Sequence, residues 1–312
     1  MSTLICGSVA YDTIMVFPGE FKDHILPDQV HILNVAFLVP EMRREFGGTA
    51  GNIAYNLNQL GGKPVVMATV GQDSGMYLDR FEKLGIPIDR IRRVPSAYTA
   101  QAFITTDRAD NQITAFHPGA MNHAHENRVA DAGAGIELGI ISPDGREGML
   151  QHARQMDEAG IPLVFDPGQG LPMFTGDELL AFIELAEVVA VNDYEAQMLS
   201  ERTGKPIDEL VKLAPVFVIT RGGKGSVIHA RGETHEIPCV AAERVVDPTG
   251  CGDAYRAGLL FGMQKKLDWP TIGRLAAILG ARKIAHRGAQ NHHFTAADIR
   301  SQFAAEFGQM PW

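Results

Sequence analysis

The chain alternates between short apolar runs and longer amphipathic stretches. The short runs are rich in β-branched residues and end in a polar or glycine-containing turn, which is typical of buried parallel strands. Because these runs alternate with helical stretches, the pattern predicts βαβ units and an α/β fold whose mostly parallel sheet is covered on both faces. The predicted strands lie within residues 4–10, 64–71, 136–143, 161–168, 187–195 and 214–223, and the predicted helices span residues 52–60, 75–84, 148–159, 176–184 and 194–203.

Two stretches break this alternation. Residues 13–46 and 97–118 lack the helical period, and the second predicts a hairpin with its turn at residues 107–111. We expect both stretches to form one small β flap inserted into a single α/β domain that spans residues 1–312. From residue 254 onward the pattern is helical, with Trp269 and Pro270 separating two helices.

The composition is that of an ordinary globular protein. The 312 residues are 45% hydrophobic, and the net charge of −9 argues against nucleic acid or an acidic membrane as partner, since both demand clustered Lys and Arg. Cys6, Cys239 and Cys251 are odd in number and form no CxxC pair, so neither a disulfide framework nor a zinc site is expected. The adjacent His292 and His293 lack the helical spacing of a metal site, so we expect surface or loop residues. No signal peptide or membrane span is apparent, which predicts a cytoplasmic protein.

The turns after the strands are the places to look for chemistry, because open sheets bind ligands at the carboxyl ends of their strands. The sharpest of these turns is DPTGCGD at residues 247–253. Here Gly250, Cys251 and Gly252 can point successive amides at one phosphoryl oxygen, and Asp253, as the first residue of a helix, can accept the proton of an attacking hydroxyl. The alternative is that Asp253 is only an acid favoured by the helix dipole, which leaves the preceding glycines unexplained.

Two further features lie in the first sixty residues. Asp12 follows the first strand and is either a loop acid or a carboxylate that accepts hydrogen bonds from two adjacent sugar hydroxyls. In FGGTAGN, residues 46–52, Gly47 and Gly48 allow a ligand to approach the backbone, and Asn52 offers both a donor and an acceptor. A plain glycine-rich turn is the alternative, whereas neither the Walker pattern nor GxGxxG fits this segment.

Two later turns have an equally open interpretation. Asn192 and Glu195, at i and i+3, either orient a hydrated magnesium ion or form a helix capping box. The segment TRGGKGS at residues 220–226 suits the phosphates or sugar of a nucleotide, but a tight hairpin turn uses the same residue types. The candidate nucleotide-binding residues in this segment are Thr220, Arg221, Gly222, Gly223 and Gly225.

Two long segments carry a family resemblance. GGTAGNIAYNLNQLGG (47–62) and DPTGCGDAYRAG (247–258) resemble the two signature segments of the ribokinase, or PfkB, family of carbohydrate and nucleoside kinases. The segments NDYE and TRGGKG fall between them in the order that the family shows, so the resemblance covers nearly the whole chain. Residues 21–57 and 280–292 resemble bacterial adenosine and nucleoside kinases more than free-sugar kinases. The resemblance implies a ribokinase-like three-layer α/β sandwich with a small β-sheet lid formed by residues 13–46 and 97–118.

The resemblance also implies roles for individual residues. Asp253 matches the catalytic base, and the three residues before it match the anion hole. The ribose hydroxyls are held at the positions of Asp12, Gly48 and Asn52. Asn192 and Glu195 match an element associated with magnesium and phosphate, and residues 220–225 match a nucleotide-binding segment. A site for a monovalent cation, often potassium, corresponds to Asp247 and the backbone of residues 285–289, and the lid mediates dimerisation in several members.

The sequence departs from the family pattern at two points. Cys251 replaces the usual alanine of the second signature, which places a thiol near a helix N-terminus where it can be reactive. The segment DPGQG replaces the common DPNxR, so that Gly168 and Gly170 stand for Asn and Arg. This change puts a phosphate role of Asp166 in doubt and leaves Gln169 free to hydrogen-bond the edge of a purine.

The acceptor is expected to be a nucleoside, which needs a slot for a planar base. Four phenylalanines fall in the predicted flap: Phe17, Phe37, Phe103 and Phe116. Met121 follows the flap. We expect one or two of these side chains to contact the nucleoside base and the others to form flap core. The expected reaction is ATP- and magnesium-dependent phosphorylation of the 5′-hydroxyl of a purine nucleoside, either adenosine or several purine nucleosides. The alternatives are a kinase for ribose, fructose or fructose 6-phosphate, and a catalytically idle ligand sensor.

Overall fold

The computed structural model describes residues 2–25, 34–109, 111–308 and 312. Its strands and helices agree closely with the hydrophobic pattern, and most boundaries differ by a few residues. The strands are β1 (Ser2–Cys6), β2 (Ala10–Val16), β3 (Glu41–Gly47), β4 (Pro64–Gly71), β5 (Ile91–Val94), β6 (Ala100–Thr106), β7 (Gln112–His117), β8 (Ile136–Ile141), β9 (Leu163–Phe165), β10 (Val188–Asn192), β11 (Val216–Thr220), β12 (Ser226–Ala230) and β13 (Glu233–Ile237). The helices are α1 (Thr49–Gln59), α2 (Gly75–Lys83), α3 (Arg146–Glu158), α4 (Gly176–Leu185), α5 (Asp193–Thr203), α6 (Ile207–Leu210), α7 (Cys251–Gln264), α8 (Trp269–Ile284) and α9 (Ala296–Phe307).

The larger sheet has nine strands in the order β13-β12-β11-β10-β9-β8-β1-β4-β5. All neighbours from β11 to β5 run parallel, and β12 and β13 add an antiparallel edge. One apolar core packs α1, α2, α7, α8 and α9 on one face of the sheet, and a second core packs α3, α4 and α5 on the other. The predicted three-layer α/β architecture is therefore confirmed.

A second sheet of four strands, in the order β3-β2-β6-β7, corresponds to the predicted lid and is called the lid below. β6 and β7 pair antiparallel around residues 107–111, as the hairpin pattern predicts, and the Asp107 carboxylate accepts hydrogen bonds from the amides of Ala109 and Asn111. Lid pairing begins at Ala10, before the predicted start at residue 13. Residues 26–33, which belong to the predicted flap, and residue 110 of the turn lie outside the described residues.

The prediction that Trp269 and Pro270 separate two helices is wrong. Both residues belong to the first turn of α8, whose N-cap Asp268 accepts a hydrogen bond from the amide of Thr271. Proline is well tolerated there because the first helical amides have no partner within the helix. The helix α7 also begins two residues earlier than expected, at Cys251, so that Asp253 is its third residue.

Candidate active site

The loop between β3 and α1 is positioned by the end of β1. The amide of Thr49 donates to the Ser8 hydroxyl (3.1 Å), and the amide of Ala50 donates to the Ser8 carbonyl (3.0 Å). Gly48 has a φ of +83°, and a Cβ at this position would lie 2.6 Å from both Ser8 O and Ala10 N. Only glycine fits here, and the backbone of this loop is thereby held at the carboxyl edge of the large sheet.

Asp12 lies on the lid strand β2 and faces this loop. A Cβ on Gly47 would lie 2.5 Å from Asp12 Oδ2, so the carboxylate packs directly against the glycine backbone. Burial is the main cause that raises the pKa of Asp12 to about 6, and the nearby acids Glu45 and Asp247 contribute to this rise. Within the described residues its oxygens accept no hydrogen bond, which leaves them available to ligand hydroxyls.

The side chain of Asn52 is hydrogen-bonded to Asp253, the predicted catalytic base, rather than left free for a ligand. Its amide Nδ2 donates to Asp253 Oδ2 (2.8 Å), and its Oδ1 accepts a hydrogen bond from Gln290 Nε2 (3.0 Å). Gln290 Nε2 also donates to the hydroxyl of Tyr77 (2.7 Å), which in turn donates to the carbonyl of Gly47 (2.6 Å). This buried network fixes the orientation of the Asn52 amide. The sequence pattern gives no signal for Tyr77 or Gln290, because both look like ordinary helix and loop residues.

The Asp253 carboxylate has a pKa suited to proton transfer. Burial is the main cause that raises its pKa to about 7, with a further contribution from Asp166; the hydrogen bond from Asn52 and the charge of Arg256 oppose the rise. A general base works best with a pKa near the operating pH. The structure therefore gives Asp253 the properties expected of a group that accepts the proton of an attacking hydroxyl.

The start of α7 presents two of the three predicted amides. The amide of Cys251 donates to the carbonyl of Pro248 (3.1 Å), whereas those of Gly250 and Gly252 have no partner among the described residues. Free amides at the positive end of a helix form an anion site. The amides of Gly250 and Gly252, just before Asp253, are therefore free to donate to an anion, as the expected anion hole requires.

Arg256, one turn further along α7, forms a buried ion pair beneath this site. Its guanidinium donates two hydrogen bonds of 3.1 Å to the Asp166 carboxylate and one of 2.9 Å to the carbonyl of Ala190. The same guanidinium lies 4.0 Å from Glu195 Oε2. Asp166, whose phosphate role the sequence left in doubt, is therefore a partner of Arg256, a residue that the sequence pattern does not single out.

Asn192 and Glu195 form a capping box at the start of α5. Asn192 Oδ1 accepts from the amide of Glu195 (2.7 Å), and Glu195 Oε2 accepts from the amide of Asn192 (2.8 Å). Glu195 Oε1 remains unbonded within the described part of the chain, and burial raises the pKa of this carboxyl. No three His, Cys, Asp or Glu side chains cluster as metal ligands in the described residues, so the pair fits magnesium only through the water molecules of the ion.

A cavity of about 330 Å³ lies beside the start of α7. Its walls combine the predicted nucleotide loop with the anion-hole turn and mainly small apolar side chains: Thr220, Gly222, Gly223, Gly225, Ser226, Cys239, Val240, Ala241, Ala242, Val245, Cys251, Gly252, Tyr255, Ala277, Gly280, Ala281 and Ile284. Residues 220–226 form the β11–β12 hairpin turn as well, since the amide of Arg221 donates to the carbonyl of Gly225 (2.8 Å). Arg221 does not line the cavity, because its guanidinium pairs with Glu236.

The region expected to bind a monovalent cation is filled by protein donors. Asp247 Oδ1 accepts from the amide of Thr249 (2.9 Å), and Asp247 Oδ2 accepts from the amide of Gly288 (2.8 Å). The ammonium of Lys283 donates to the carbonyls of Asp247 (2.7 Å) and His286 (3.0 Å). With a buried ammonium on these carbonyls, the residues present do not fit a second cation.

One aromatic candidate shares the lid face that carries Asp12. Asp12 pairs with Ala102 on β6, which pairs with Phe116 on β7, so Asp12 and Phe116 lie on the same face of the lid. Phe116 is 52% exposed, which leaves its ring accessible to a ligand. Phe103, the next residue after Ala102, lies on the opposite face.

The other side chains expected to contact the nucleoside base lie elsewhere in the structure. Phe17 is buried, and the rings of Phe21 and Phe37 lie 6.0 and 4.9 Å from it, so these side chains form lid core. Met121 lies in a short 3-10 helix after β7 and is partly exposed. Gln169 is exposed in the turn after β9 and makes no hydrogen bond within the described residues, so its amide is free to bind a ligand.

Two side chains have surroundings that their sequence positions do not reveal. His292 is a loop residue, as expected, but it is 1% exposed and its Nε2 forms a hydrogen bond with Asn56 Oδ1 (2.7 Å). The thiol of Cys251 lies at a helix N-terminus, yet burial raises its pKa to about 11, which disfavours the reactive thiolate.

The chain is similar in sequence and structure to known kinases. A model of the pfkB family of carbohydrate kinases matches residues 9–295. The nucleoside kinase of Methanocaldococcus jannaschii is 32% identical over 262 residues, which cover 83% of this chain and 85% of that protein. The chain is also similar to the solved nucleoside kinase of Burkholderia thailandensis in complex with inosine, with 52% identity, a TM-score of 0.90 and 99% coverage of both chains. For the same kinase in complex with ADP-inosine the identity is 54% and the TM-score 0.87, with 99% of this chain and 97% of that chain covered.

Across the described residues, the helices include none with the length and apolar character needed to cross a membrane.

Proposed function

Because the chain belongs to the pfkB family of carbohydrate kinases, we propose that it is an ATP-dependent nucleoside kinase that phosphorylates the 5′-hydroxyl of purine nucleosides. One observation carries this proposal: a carboxylate with a pKa of about 7, held by Asn52, lies directly after two free amides at the start of α7. A proton acceptor beside an anion site is what transfer of a phosphoryl group to a hydroxyl requires.

The proposed mechanism divides the work among the residues of the site. Asp12 and the Gly47–Gly48 backbone bind the ribose hydroxyls and orient the 5′-hydroxyl toward Asp253. Asp253 accepts the hydroxyl proton while the amides of Gly250 and Gly252 stabilise the charge on the transferred phosphoryl group. Closure of the lid, which carries Asp12, excludes water from the reaction.

ATP is proposed to bind in the cavity between the β11–β12 turn and α8, with its phosphates directed to the start of α7. The cavity wall is formed mainly by small apolar groups, which suit a planar base. Glu195 and Asn192 would hold a magnesium ion through its waters, and this ion would neutralise charge on the ATP phosphates. Potassium is not part of the proposal, because the carbonyls expected to bind it are bonded to Lys283.

Purine nucleosides are the proposed acceptors, with adenosine, inosine and guanosine as the candidates. The similarity to a nucleoside kinase solved with inosine supports this choice. Phe116, exposed on the face that carries Asp12, gives the base an aromatic surface, and Gln169 offers an amide that can hydrogen-bond the purine edge.

A homodimer formed through the lid is proposed as the assembly. Three large apolar side chains are exposed on the lid face opposite Asp12: Met42 (70%), Phe103 (40%) and Ile113 (45%). An exposed apolar surface of this kind is typical of an interface. The three cysteines are free thiols, which supports the proposed cytoplasmic location.

A single panel tests the proposed function. ATP consumption is measured with adenosine, inosine, guanosine, cytidine, ribose, fructose and fructose 6-phosphate, and the products are identified by mass spectrometry. We expect turnover with the purine nucleosides and a 5′-monophosphate product. Turnover with a sugar alone would establish a sugar kinase, and tight nucleoside binding without any ATP turnover would establish a sensor; either result rejects the proposal.

A further inference from the structure

Lys283 is a fully buried lysine at the end of α8. The side chain is 0% exposed, and its ammonium donates to two backbone carbonyls, those of Asp247 and His286. Burying an ammonium is costly unless its donors are satisfied, so a lysine in this position must be held by what it binds. Both carbonyls belong to loops, which lack the regular backbone hydrogen bonds of a helix or a sheet. The ammonium therefore links two segments that regular structure does not hold together.

The first of these segments leads directly into the anion hole. Asp247 precedes Gly250 by three residues, and its carboxylate is bonded to the amides of Thr249 and Gly288. The amides of Val246 and Asp247 both donate to the carbonyl of Ile284 at the end of α8. The ammonium, which donates to carbonyls on both sides, therefore adds a direct link between the anion-hole turn and the loop after α8.

The chemistry of this position calls for a cation. Carbonyl oxygens from two loops converge there, next to the carboxylate of Asp247, whose pKa is lowered by its amide hydrogen bonds in spite of burial. Converging oxygens repel one another unless a positive charge or hydrogen-bond donors lie between them. A lysine ammonium is a compact point charge with three donors, and it is covalently attached.

We propose that the ammonium of Lys283 takes the place of a bound monovalent cation, so that the anion-hole turn is assembled without potassium. Lys283 is thus a positioning residue: it contacts neither substrate nor phosphoryl group, and it acts through the backbone of residues 247–252. The expected consequence is an enzyme whose turnover is independent of the monovalent salt present.

The test compares the wild type with three variants at constant ionic strength in chloride salts of tetramethylammonium, sodium, potassium and ammonium. Lys283→Ala removes the charge and leaves room for an ion, whereas Lys283→Met removes the charge and fills the space. Lys212→Ala is the matched control, because Lys212 is an exposed lysine in the turn after α6. The readouts are kcat and KM with inosine and ATP, which rest on the proposed function, and the melting temperature, which does not.

We expect wild type and Lys212→Ala to keep the same kcat in all four salts. Lys283→Ala should lose about tenfold or more of kcat in tetramethylammonium, since the anion-hole donors are no longer held in place, and should regain most of it in potassium or ammonium. Lys283→Met should stay slow in every salt. Potassium should also raise the melting temperature of Lys283→Ala but not that of the wild type.

Three results would overturn the proposal. These are a potassium requirement in the wild type, full activity of Lys283→Ala in tetramethylammonium, and a folded Lys283→Ala that no cation restores. The wild-type arm needs no variant, so the proposal can be rejected even if both substitutions prevent folding. If no acceptor is phosphorylated at all, the failure lies with the proposed function, and the melting arm still decides the role of Lys283.

Discussion

Replacing Asp253 by Asn should make the protein more stable and nearly inactive. Asp253 has a pKa of about 7 in the folded protein against an ordinary value of 3.8, mainly because the carboxylate is buried. A raised carboxyl pKa contributes stability below about pH 4, and this contribution is lost as the pH rises through 7. The full difference corresponds to about 4 kcal/mol, and because the side chain retains some contact with solvent we expect about 2–4 kcal/mol.

The assay is urea-induced unfolding of wild type and Asp253→Asn at intervals between about pH 4 and pH 8.5. The variant should be increasingly more stable than the wild type as the pH rises to about 8, after which the difference should level off. Turnover should fall by about 100-fold or more, because the proton acceptor is gone, while nucleoside affinity changes little. A variant that is no more stable than the wild type at pH 8.5 would refute the assignment of a desolvated, costly carboxylate.

Asp298→Asn provides a control of opposite sign. Asp298 is the N3 residue of the capping box at the start of α9, and its hydrogen bonds with the N-cap Thr295 lower the pKa of this carboxyl. A lowered pKa contributes stability above the ordinary value and loses it as the pH falls. The control variant should therefore be less stable than the wild type near pH 8 and converge with it in acid, and a common pH trend in both variants would point to a global effect unrelated to either site.

Two other predictions concern the loop before α1 and the nucleotide cavity. Gly48→Ala should cost about 3 kcal/mol or more and impair nucleoside binding, whereas Gly85→Ala, which has a φ of +71° but nothing within 4 Å of the added Cβ, should cost only about 1 kcal/mol in the same denaturation assay. A thiol reagent should modify the exposed Cys239 before Cys251, because burial raises the pKa of Cys251 to about 11. ATP should slow the modification, because both residues line the cavity. Peptide mapping that finds Cys251 modified first, or no protection by ATP, would contradict this prediction.

The elements of the fold are largely predictable because their signals are local. A run such as residues 188–191 is apolar and mostly β-branched whatever the rest of the chain does, and it forms the buried part of β10. Boundaries fail where a local signal has two meanings. Pro270 marks a break in most contexts, but after the N-cap Asp268 it belongs to the first turn of a helix.

The site is predictable only as far as its residues carry a local motif. Asp253 and its glycines stand in one segment, whereas the hydrogen bond that Asp253 accepts from Asn52 has no signal in the sequence. Gln290 and Lys283 have no such segment, because their roles depend on partners far away in the chain. The i, i+3 spacing of Asn192 and Glu195 allows a capping box, and the structure contains it. The capping box uses one oxygen of the Glu195 carboxylate and leaves the other available to a hydrated ion.

The bonds that surround Asp253 also determine when the site comes into existence. Asn52 is 201 residues from Asp253 in sequence, and Gln290, which orients it, is a further 37 residues along the chain. Contacts of this range form late, because the loops that they close are long. During synthesis Asp253 therefore emerges before Gln290, and the hydrogen-bond network that joins it to Asn52 and Gln290 is complete only after the loop that follows α8 has docked onto α1. Recovery of catalytic activity is accordingly a reporter of completed folding, and no earlier intermediate can carry out the reaction.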